Sequence, residues 1–247
     1  MTLAGKHVVV TGGGSGVGAE TAQAFNRQGA RVTILGRREE PLKAQGLSYQ
    51  LCDVTDAEAV AKALDAARQQ NGPISVAVAN AGAVESVPFA KLSQDQMQSM
   101  LAVNLIGVAN LWQAALGDMK ASGWGRMIAV ASTAGLKGYP YVAVYSAAKH
   151  GVIGLTRSLA IELGQTGVTV NAICPSFVET PLLERSIEII VRKTGLSAEE
   201  ARATLIAGNP QKRFIETDEV AGTALWLCSD AARSVNGQAI ALSGGEV

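Results

Sequence analysis

The sequence has few residues of the kinds that build metal centres, disulfide frameworks and nucleic-acid interfaces. It contains two histidines, His7 and His150, among 247 residues. The sequence therefore has almost none of the histidines that a Ser-His-Asp nucleophile or a histidine-based metal site requires. We interpret His150 as structural or as an edge of a substrate site. Lysine and arginine number 21, as do aspartate and glutamate. Because this balance differs from the basic excess of nucleic-acid-binding proteins, we expect no nucleic-acid partner.

Cysteine is scarce as well. The three cysteines, Cys52, Cys174 and Cys228, lack a close metal-type spacing, and we interpret them as apolar residues of a reduced, cytoplasmic protein. The first apolar run, His7 to Val10, is too short for a signal peptide. The longest one, Leu101 to Leu116, is interrupted by polar residues and falls below the roughly 18 residues of a membrane span, so no membrane segment is predicted.

Short β-rich runs alternate with helical patterns along the whole chain. Because these runs are nearly continuously apolar, they indicate strands covered on both faces, as in a parallel sheet. The predicted strands are Val8–Thr11, Arg31–Leu35, Ile74–Ala79, Arg126–Ala131, Thr169–Ile173 and Ala239–Leu242. The alternation predicts one α/β domain over residues 1–247, a doubly wound parallel sheet of the Rossmann type in three α/β/α layers.

Several helices have recognisable beginnings and ends. Capping boxes are expected at Thr55–Glu58 and at Ser93–Gln96, and an apolar stripe predicts a helix over Ser146–Leu163 with Gly164 as its terminator. The segment of residues 180–214 instead contains two helical stretches, Leu182–Thr194 and Ser197–Ala207, with no strand between them. It is interpreted either as a helical flap over a substrate or as an ordinary packed insertion.

A glycine-rich turn, Thr11–Gly18, follows the first strand and precedes a helical run at Ala19–Gln28. Glycines in this position permit a tight turn and a close approach of the backbone to a pyrophosphate at the start of a helix. The turn therefore predicts a dinucleotide site, and its candidate contacts are Gly12, Ser15, Gly16, Val17 and Gly18.

The residues after the second strand bear on the choice of dinucleotide. A carboxylate at this position accepts from the ribose 2′-hydroxyl of NAD, whereas a basic residue accommodates the 2′-phosphate of NADP. The sequence has Arg37 and Arg38 there and no carboxylate at the strand end, which favours NADP, with NAD as the alternative. The other interpretation is that both arginines are solvated surface charge, partly neutralised by Glu39 and Glu40.

Tyr145 and Lys149 are four residues apart in a predicted helix and so lie one turn apart on one face. An ammonium near a phenol is expected to lower its pKa from about 10, which suits the phenol to proton transfer. The pair alone is weak evidence, since this spacing is common on helices. Together with Ser132 upstream and the glycine-rich turn, it indicates an oxidoreductase.

These motifs resemble those of the short-chain dehydrogenase/reductase family, and the resemblance covers essentially the whole chain. It includes the glycine turn, Asp53 with Val54, the Asn80-Ala81-Gly82 triplet, and the turn from Pro175 through Val178 to Thr180. It also includes the catalytic tetrad Asn104, Ser132, Tyr145 and Lys149. The chain departs from the family at Ala79, where the motif has a first asparagine, and at Ser176, where a glycine is usual.

The resemblance implies a role for each of these residues. Tyr145 is expected to be the general acid or base, Lys149 to lower its pKa and hold the nicotinamide ribose, Ser132 to orient the substrate oxygen, and Asn104 to anchor a water in a proton relay. Asp53 is expected at the adenine edge, and Pro175 to Thr180 at the nicotinamide carboxamide.

The implied function is an NADP-preferring oxidoreductase that interconverts a ketone and a secondary alcohol, with a 3-oxoacyl or 3-hydroxyacyl compound as the best substrate class. The flap residues Leu182, Leu183, Ile187 and Ile190 are expected either to cover an acyl chain or to pack the domain, and Tyr139 and Tyr141 to line the pocket. The first alternative is an NAD-dependent dehydrogenase of a small hydroxy acid, cyclic alcohol or steroid. The second is a non-catalytic dinucleotide sensor. Family resemblance also implies a homotetramer.

Overall fold

A computed structural model describes residues 3–247, and its centre is a seven-stranded sheet in which every neighbouring pair is parallel. The strands are β1 (His7–Thr11), β2 (Arg31–Gly36), β3 (Ser48–Leu51), β4 (Val76–Ala79), β5 (Gly125–Val130), β6 (Val168–Pro175) and β7 (Ala239–Leu242). Their order across the sheet is β3-β2-β1-β4-β5-β6-β7. This arrangement confirms the predicted doubly wound fold and the single domain.

Helices cover both faces of the sheet. They are α1 (Gly16–Arg27), α2 (Glu39–Lys43), α3 (Ala57–Asn71), α4 (Gln94–Leu101), α5 (Gly107–Ser122), α6 (Ala143–Glu162), α7 (Pro181–Thr194), α8 (Ala198–Ile206) and α9 (Thr217–Leu227). In β1, Val9 belongs to the core cluster that contains Trp112 of α5, whereas Val8 and Val10 belong to the cluster that contains Phe25 of α1. Since alternate side chains enter two separate cores, the strand has to be apolar throughout.

One strand was not predicted. β3 has the sequence Ser-Tyr-Gln-Leu, is the edge strand of the sheet, and is half-buried to exposed along its length. An edge strand beside a short helix has little need of a continuous apolar run, so it lacks the pattern by which the other strands were recognised. The remaining strands were placed correctly: Ala239–Leu242 matches β7 at both ends, and no end of the others differs by more than two residues.

The expected helix ends are correct at some positions and wrong at others. Ser93 caps α4 in the predicted capping box with Gln96. The capping box predicted at Thr55 is wrong, because Asp56 caps α3 by accepting from the amides of Glu58 and Ala59. α6 ends at Glu162, and Gly164 has no positive φ, so this glycine is not a left-handed terminator.

The apolar stretch around α5 belongs to a longer helix than its sequence indicated. Helical structure runs without a break from Gln94 to Ser122, 29 residues, with a π-helical turn at Ala102–Ile106. By length and composition alone this helix is long and apolar enough to span a membrane, so the length argument made from the sequence was wrong. Its buried residues Leu111 and Trp112 lie in the core beside the sheet, as expected of a core helix.

The segment of residues 180–214 forms two helices, as predicted. α7 and α8 pack around a small core of their own, in which Leu183, Ile187 and Ala201 are buried. Leu182, by contrast, is 47% exposed. Leu183 and Ile187 therefore hold the two helices together, which leaves Leu182 as the flap residue free to contact another molecule.

Candidate active site

The crevice of the sheet lies between β1 and β4, the neighbours from which the strand order runs in opposite directions. In doubly wound folds, ligands bind at this position, outside the carboxyl ends of the strands. Here Thr11 and Asn80 join the two strand ends. The Thr11 hydroxyl accepts from the amides of Asn80 and Ala81 at 3.0 Å each, and Asn80 Nδ2 donates to the Thr11 carbonyl at 2.9 Å.

The glycine turn is shaped by close backbone contacts. Gly12 and Gly16 have positive φ values of 66° and 53°, which L side chains rarely adopt. A Cβ on Gly18 would lie 2.3 Å from the carbonyl oxygen of Gly12 and 2.4 Å from Asn80 Nδ2. The turn therefore requires glycine at Gly12, Gly16 and Gly18 for conformation or for space, as the motif predicted.

The beginning of α1 is suited to an anion. Ser15 is the N-cap residue with extended backbone, and its side chain makes no capping hydrogen bond. The first amides of this 12-residue helix, those of Gly16, Val17 and Gly18, therefore lack a side-chain cap and can receive a phosphate. Thr180 lies across the crevice, since a Cβ on Gly16 would be 3.2 Å from Thr180 Cγ2. A glycine cradle next to uncapped helix amides fits a dinucleotide.

Two arginines lie beyond the end of β2. Arg37 is 3.8 Å from Asp53 Oδ2, and its side chain is 75% exposed. Glu39 does not neutralise either arginine, because its carboxylate bonds to the Tyr49 hydroxyl at 2.9 Å and pairs with Lys43 at 3.1 Å. Arg38 is exposed and has no ion pair within residues 3–247. This edge of the crevice therefore carries available positive charge.

The other predicted cofactor contacts differ in how far their side chains are exposed or packed within the fold. Hydrogen bonds from Thr55 lower the pKa of Asp53, which keeps this carboxylate ionised, and its side chain is 42% exposed. Val54 is buried against Gly107 of α5, so its side chain serves the packing of that helix. Pro175 ends β6 within the core, and Val178 forms an isolated parallel bridge with Ile215.

Asn104 and Lys149 both lie close to Gly82. A Cβ on Gly82 would be 2.9 Å from Asn104 Oδ1 and 3.8 Å from Lys149 Nζ. The Asn104 side chain is fully buried within the π-helical turn, and its Nδ2 donates to the carbonyls of Ala83 at 2.8 Å and Met100 at 3.0 Å. The Asn104 amide oxygen accepts from the Ala83 amide at 3.2 Å, beside Gly82. Such π-helical turns occur frequently at functional sites.

Ser132 and Tyr145 meet at the carboxyl end of β5. Ser132 caps the short 3₁₀ turn Thr133–Gly135, and its hydroxyl is close enough to the Tyr145 phenol to lower the pKa of that phenol. Lys149 donates to the carbonyl of Val130 at 2.9 Å. The structure thus brings Asn104, Ser132, Tyr145 and Lys149 into one crevice, with the chain order of the motif.

Burial sets the proton affinities of the central pair. It raises the pKa of Tyr145, while the nearby Ser132 hydroxyl lowers it in part. It also lowers the pKa of Lys149 to about 8. The expectation that Lys149 depresses the pKa of Tyr145 is therefore wrong, because burial is the largest effect on this phenol and raises its pKa.

A carboxylate that the sequence did not single out lies beside this site. Glu246, next to the carboxyl-terminal residue, accepts from the Tyr139 hydroxyl at 2.7 Å and the Ser176 hydroxyl at 2.5 Å, and pairs with Lys137 at 2.8 Å. It is separated from Tyr139 by 107 positions, so no local motif indicates the contact. The only signal is a carboxylate directly after two glycines, Gly244 and Gly245, both with positive φ.

Five other residues considered from the sequence lie outside the chemistry. Cys52, Cys174 and Cys228 are buried, and burial raises their thiol pKa values to about 11, 11 and 12, which keeps the thiols neutral. His150 is exposed and its Nδ1 bonds to the Ser146 carbonyl one turn back, which agrees with a structural role. Tyr141, 62% exposed, has a positive φ of 67°, and its carbonyl accepts from the Val87 amide, so it belongs to the strained loop before α6.

A doubly wound sheet with a glycine cradle, and a tyrosine–lysine pair beside it, defines a class of dinucleotide-dependent enzymes. Residues 6–189 match the profile described as "short chain dehydrogenase". The chain therefore belongs to the short-chain dehydrogenase family, and it is an NAD(P)-dependent oxidoreductase that acts on CH–OH groups.

Individual relatives agree with this assignment. The chain is 35% identical to a D-beta-hydroxybutyrate dehydrogenase of Cupriavidus necator, with 99% of both proteins covered. It is 36% identical to a granaticin polyketide synthase putative ketoacyl reductase of Streptomyces violaceoruber, with 99% of this chain and 94% of the relative covered. The crystal structure of a single-residue variant of the actinorhodin polyketide ketoreductase with NADPH superposes with a TM-score of 0.93, at 34% identity, over 98% of this chain and 97% of the other.

Proposed function

We propose that this protein is an NADP-preferring oxidoreductase that interconverts a ketone and a secondary alcohol, with a 3-oxoacyl or 3-hydroxyacyl compound as substrate. The observation that carries this proposal is the meeting of Ser132, Tyr145 and Lys149 at the end of the crevice whose other edge bears Arg37 and Arg38. The NADPH-bound ketoreductase and the ketoacyl reductase among the similar proteins support the same cofactor and substrate class.

When bound, the nicotinamide supplies or accepts the hydride. Ser132 and Tyr145 would hold the substrate oxygen by hydrogen bonds, and the phenol would give its proton to that oxygen as negative charge develops on it. The phenol is protonated at neutral pH, as a proton donor must be. A charged Lys149 beside the ring stabilises the phenolate that remains, and Asn104 continues the polar path towards Gly82.

At the other end, the uncapped amides at the start of α1 and the Ser15 hydroxyl would bind the pyrophosphate. Arg38, which has no ion pair among residues 3–247, would bind the 2′-phosphate, and Arg37 would assist while it remains near Asp53. Asp53 would meet the adenine edge, and the turn from Pro175 to Thr180 the nicotinamide carboxamide. These assignments rest on the placement of the residues around the crevice.

A substrate panel tests the proposal. Oxidation of NADPH and NADH is followed with 3-oxoacyl thioesters, cyclic ketones and steroids, and we expect the thioesters with NADPH to give the highest kcat/KM. The similarity to a D-beta-hydroxybutyrate dehydrogenase favours a second candidate, an NAD-dependent dehydrogenase of a small hydroxy acid. Higher kcat/KM with NAD and a 3-hydroxy acid would establish that candidate, and dinucleotide binding without any turnover would identify a sensor.

We also propose a cytoplasmic homotetramer. Large apolar side chains are exposed on α6, α9 and the helix that contains α4, where neighbouring subunits would cover them: Ile161 (85%), Trp226 (43%) and Leu101 (37%). Three buried, unpaired thiols suit a reducing compartment. Light scattering coupled to size-exclusion chromatography tests the assembly, and a mass of one or two chains would contradict it.

A further inference from the structure

The carboxylate of Glu246 is almost enclosed, with only 6% of its side chain exposed. Lys137 and Tyr139 donate to Oε1 at 2.8 and 2.7 Å, and Ser176 donates to Oε2 at 2.5 Å. Because Tyr139 has one proton and gives it to Glu246, the 2.8 Å contact between Thr133 and Tyr139 is a hydrogen bond donated by Thr133. Hydrogen bonds from these three donors lower the pKa of Glu246 despite its burial, so the group is an anion at neutral pH.

This anion is linked by hydrogen bonds to residues that adjoin the proposed site in the chain. Thr133, which is linked to it through Tyr139, directly follows Ser132, and Ser176 directly follows Pro175, the residue that ends β6. Tyr139 also packs edge-on against Phe177, with ring centroids 6.4 Å apart. Glu246 therefore joins the loop after Ser132, with Lys137 and Tyr139, to Ser176 in the turn after Pro175. We call these joined residues the wall, and Glu246 places a negative charge in it.

The charge has a consequence for the substrate. Lys137 is the cation of this wall, and its ammonium is already paired with Glu246. A substrate carboxylate would find that cation occupied and would have to lose water beside a second, buried carboxylate. Like charges placed together in this way disfavour binding. A carboxyl group masked as a thioester or an ester carries no charge and avoids the cost.

We propose that Glu246 is a specificity-determining residue that restricts the enzyme to 3-oxo substrates whose carboxyl group is uncharged, and excludes free 3-oxo acids. The inference rests on the proposed function and narrows it to the thioester or ester class. It also sets this chain apart from a dehydrogenase of free hydroxy acids, although such an enzyme is among its relatives.

The test compares ethyl acetoacetate with acetoacetate, which share the reacting ketone and differ in charge. We expect the wild-type kcat/KM for the ester to exceed that for the acid at least about tenfold. Glu246→Gln keeps an oxygen acceptor for Tyr139 or Ser176, removes the charge and frees Lys137. It should lower the ester-to-acid ratio about tenfold. The double variant Lys137→Met/Glu246→Gln should lose most of that gain, because the freed cation is absent.

Glu162→Gln is the matched control, because this exposed carboxylate at the end of α6 is about 25 Å along the helix from Tyr145. It should leave the ratio unchanged. Equal kcat/KM values for both substrates with the wild-type protein would overturn the inference, as would an ester-to-acid ratio that Glu246→Gln does not change. Glu246 would then only stabilise the structure.

Equilibrium binding separates this inference from the proposed function. The Kd values of both compounds are measured on Tyr145→Phe protein saturated with NADPH, where no turnover is needed. Tighter binding of the ester, reversed in Tyr145→Phe/Glu246→Gln, supports charge selection even if the wild-type protein reduces neither compound. Equal binding in both proteins would refute it, whatever the turnover.

Discussion

The ammonium nitrogen of Lys149 lies 5.6 Å from the centre of the Tyr145 ring, and it is held there by the carbonyl of Val130 at the end of β5. Sheet and helix together fix this relationship, because Tyr145 and Lys149 leave successive turns of α6 while Val130 belongs to the central sheet. Burial acts on both partners in the direction that makes them less charged. Each group is therefore held closer to its neutral form than it would be in water.

Stability should depend on pH through Lys149. Its folded-state pKa of about 8 lies below the ordinary value of 10.5. The penalty for burying the ammonium is therefore present in full below about pH 8 and is relieved as the pH rises from about 8 towards 10.5. The wild-type free energy of unfolding should accordingly rise relative to Lys149→Met by on the order of 1–3 kcal/mol across this window.

Denaturant unfolding at a series of pH values checks this prediction. Lys62→Met, at an exposed position of α3, is the control whose stability should run parallel to that of the wild type. Parallel curves for Lys149→Met as well would show that the lysine titrates normally in the folded protein.

Cofactor preference should depend mainly on Arg38. Arg37 is partly engaged by Asp53 at 3.8 Å, whereas Arg38 is free to bind a phosphate. Because a hydrogen bond to a charged group contributes about 1.5–3 kcal/mol, Arg38→Ala should raise the KM for NADPH roughly tenfold to a hundredfold. The KM for NADH should change by less than about threefold, since NADH lacks the phosphate. Steady-state kinetics with both cofactors measure this.

Arg27→Ala is the control for Arg38→Ala, because Arg27 is exposed at the end of α1 and pairs with Glu20. It should alter neither KM. A uniform rise in both KM values for Arg38→Ala would indicate loss of general structure around β2 instead of loss of a phosphate contact.

The glycine cradle should tolerate no side chain at Gly18. A Cβ there would lie 2.3 Å from the carbonyl oxygen of Gly12, so Gly18→Ala must displace the turn. We expect NADPH binding to weaken at least about tenfold and stability to fall by about 1–3 kcal/mol. Gly117→Ala is the contrast, because no atom lies within 4 Å of the added methyl group in the middle of α5. It should stabilise the protein by up to about 1 kcal/mol.

Fluorescence titration with NADPH and thermal unfolding distinguish the two glycine variants. Wild-type affinity in Gly18→Ala would mean that the dinucleotide does not approach the backbone at this turn.

The parts of the fold that the sequence predicted best are those with a strong local requirement. Strands buried on both faces need an apolar run, and the turn at Gly12 to Gly18 needs glycine for space, so both were recognised. β3 was missed because an edge strand has no such requirement. Thr55 and Asp56 are both good N-cap residues, and only the structure distinguishes them.

In the site, motif positions located the four central residues but not their surroundings. The π-helical turn that holds Asn104 depends on contacts with Ala83 and Met100, which no local pattern indicates. The pKa shift of Tyr145 was predicted in the wrong direction because helical spacing gives the nearest charge and not the degree of burial. Glu246 was missed because its partners are distant in sequence.

In the proposed mechanism, Tyr145 transfers the proton while the rest of the crevice binds the cofactor. The most direct test of this mechanism is the rate of NADPH oxidation by Tyr145→Phe, measured with the best ketone found in the panel, together with NADPH affinity. We expect kcat to fall about a thousandfold or more while the Kd for NADPH stays within about threefold of the wild-type value, because only the phenolic oxygen is removed. A kcat within about tenfold of the wild-type value would show that Tyr145 is not the proton donor.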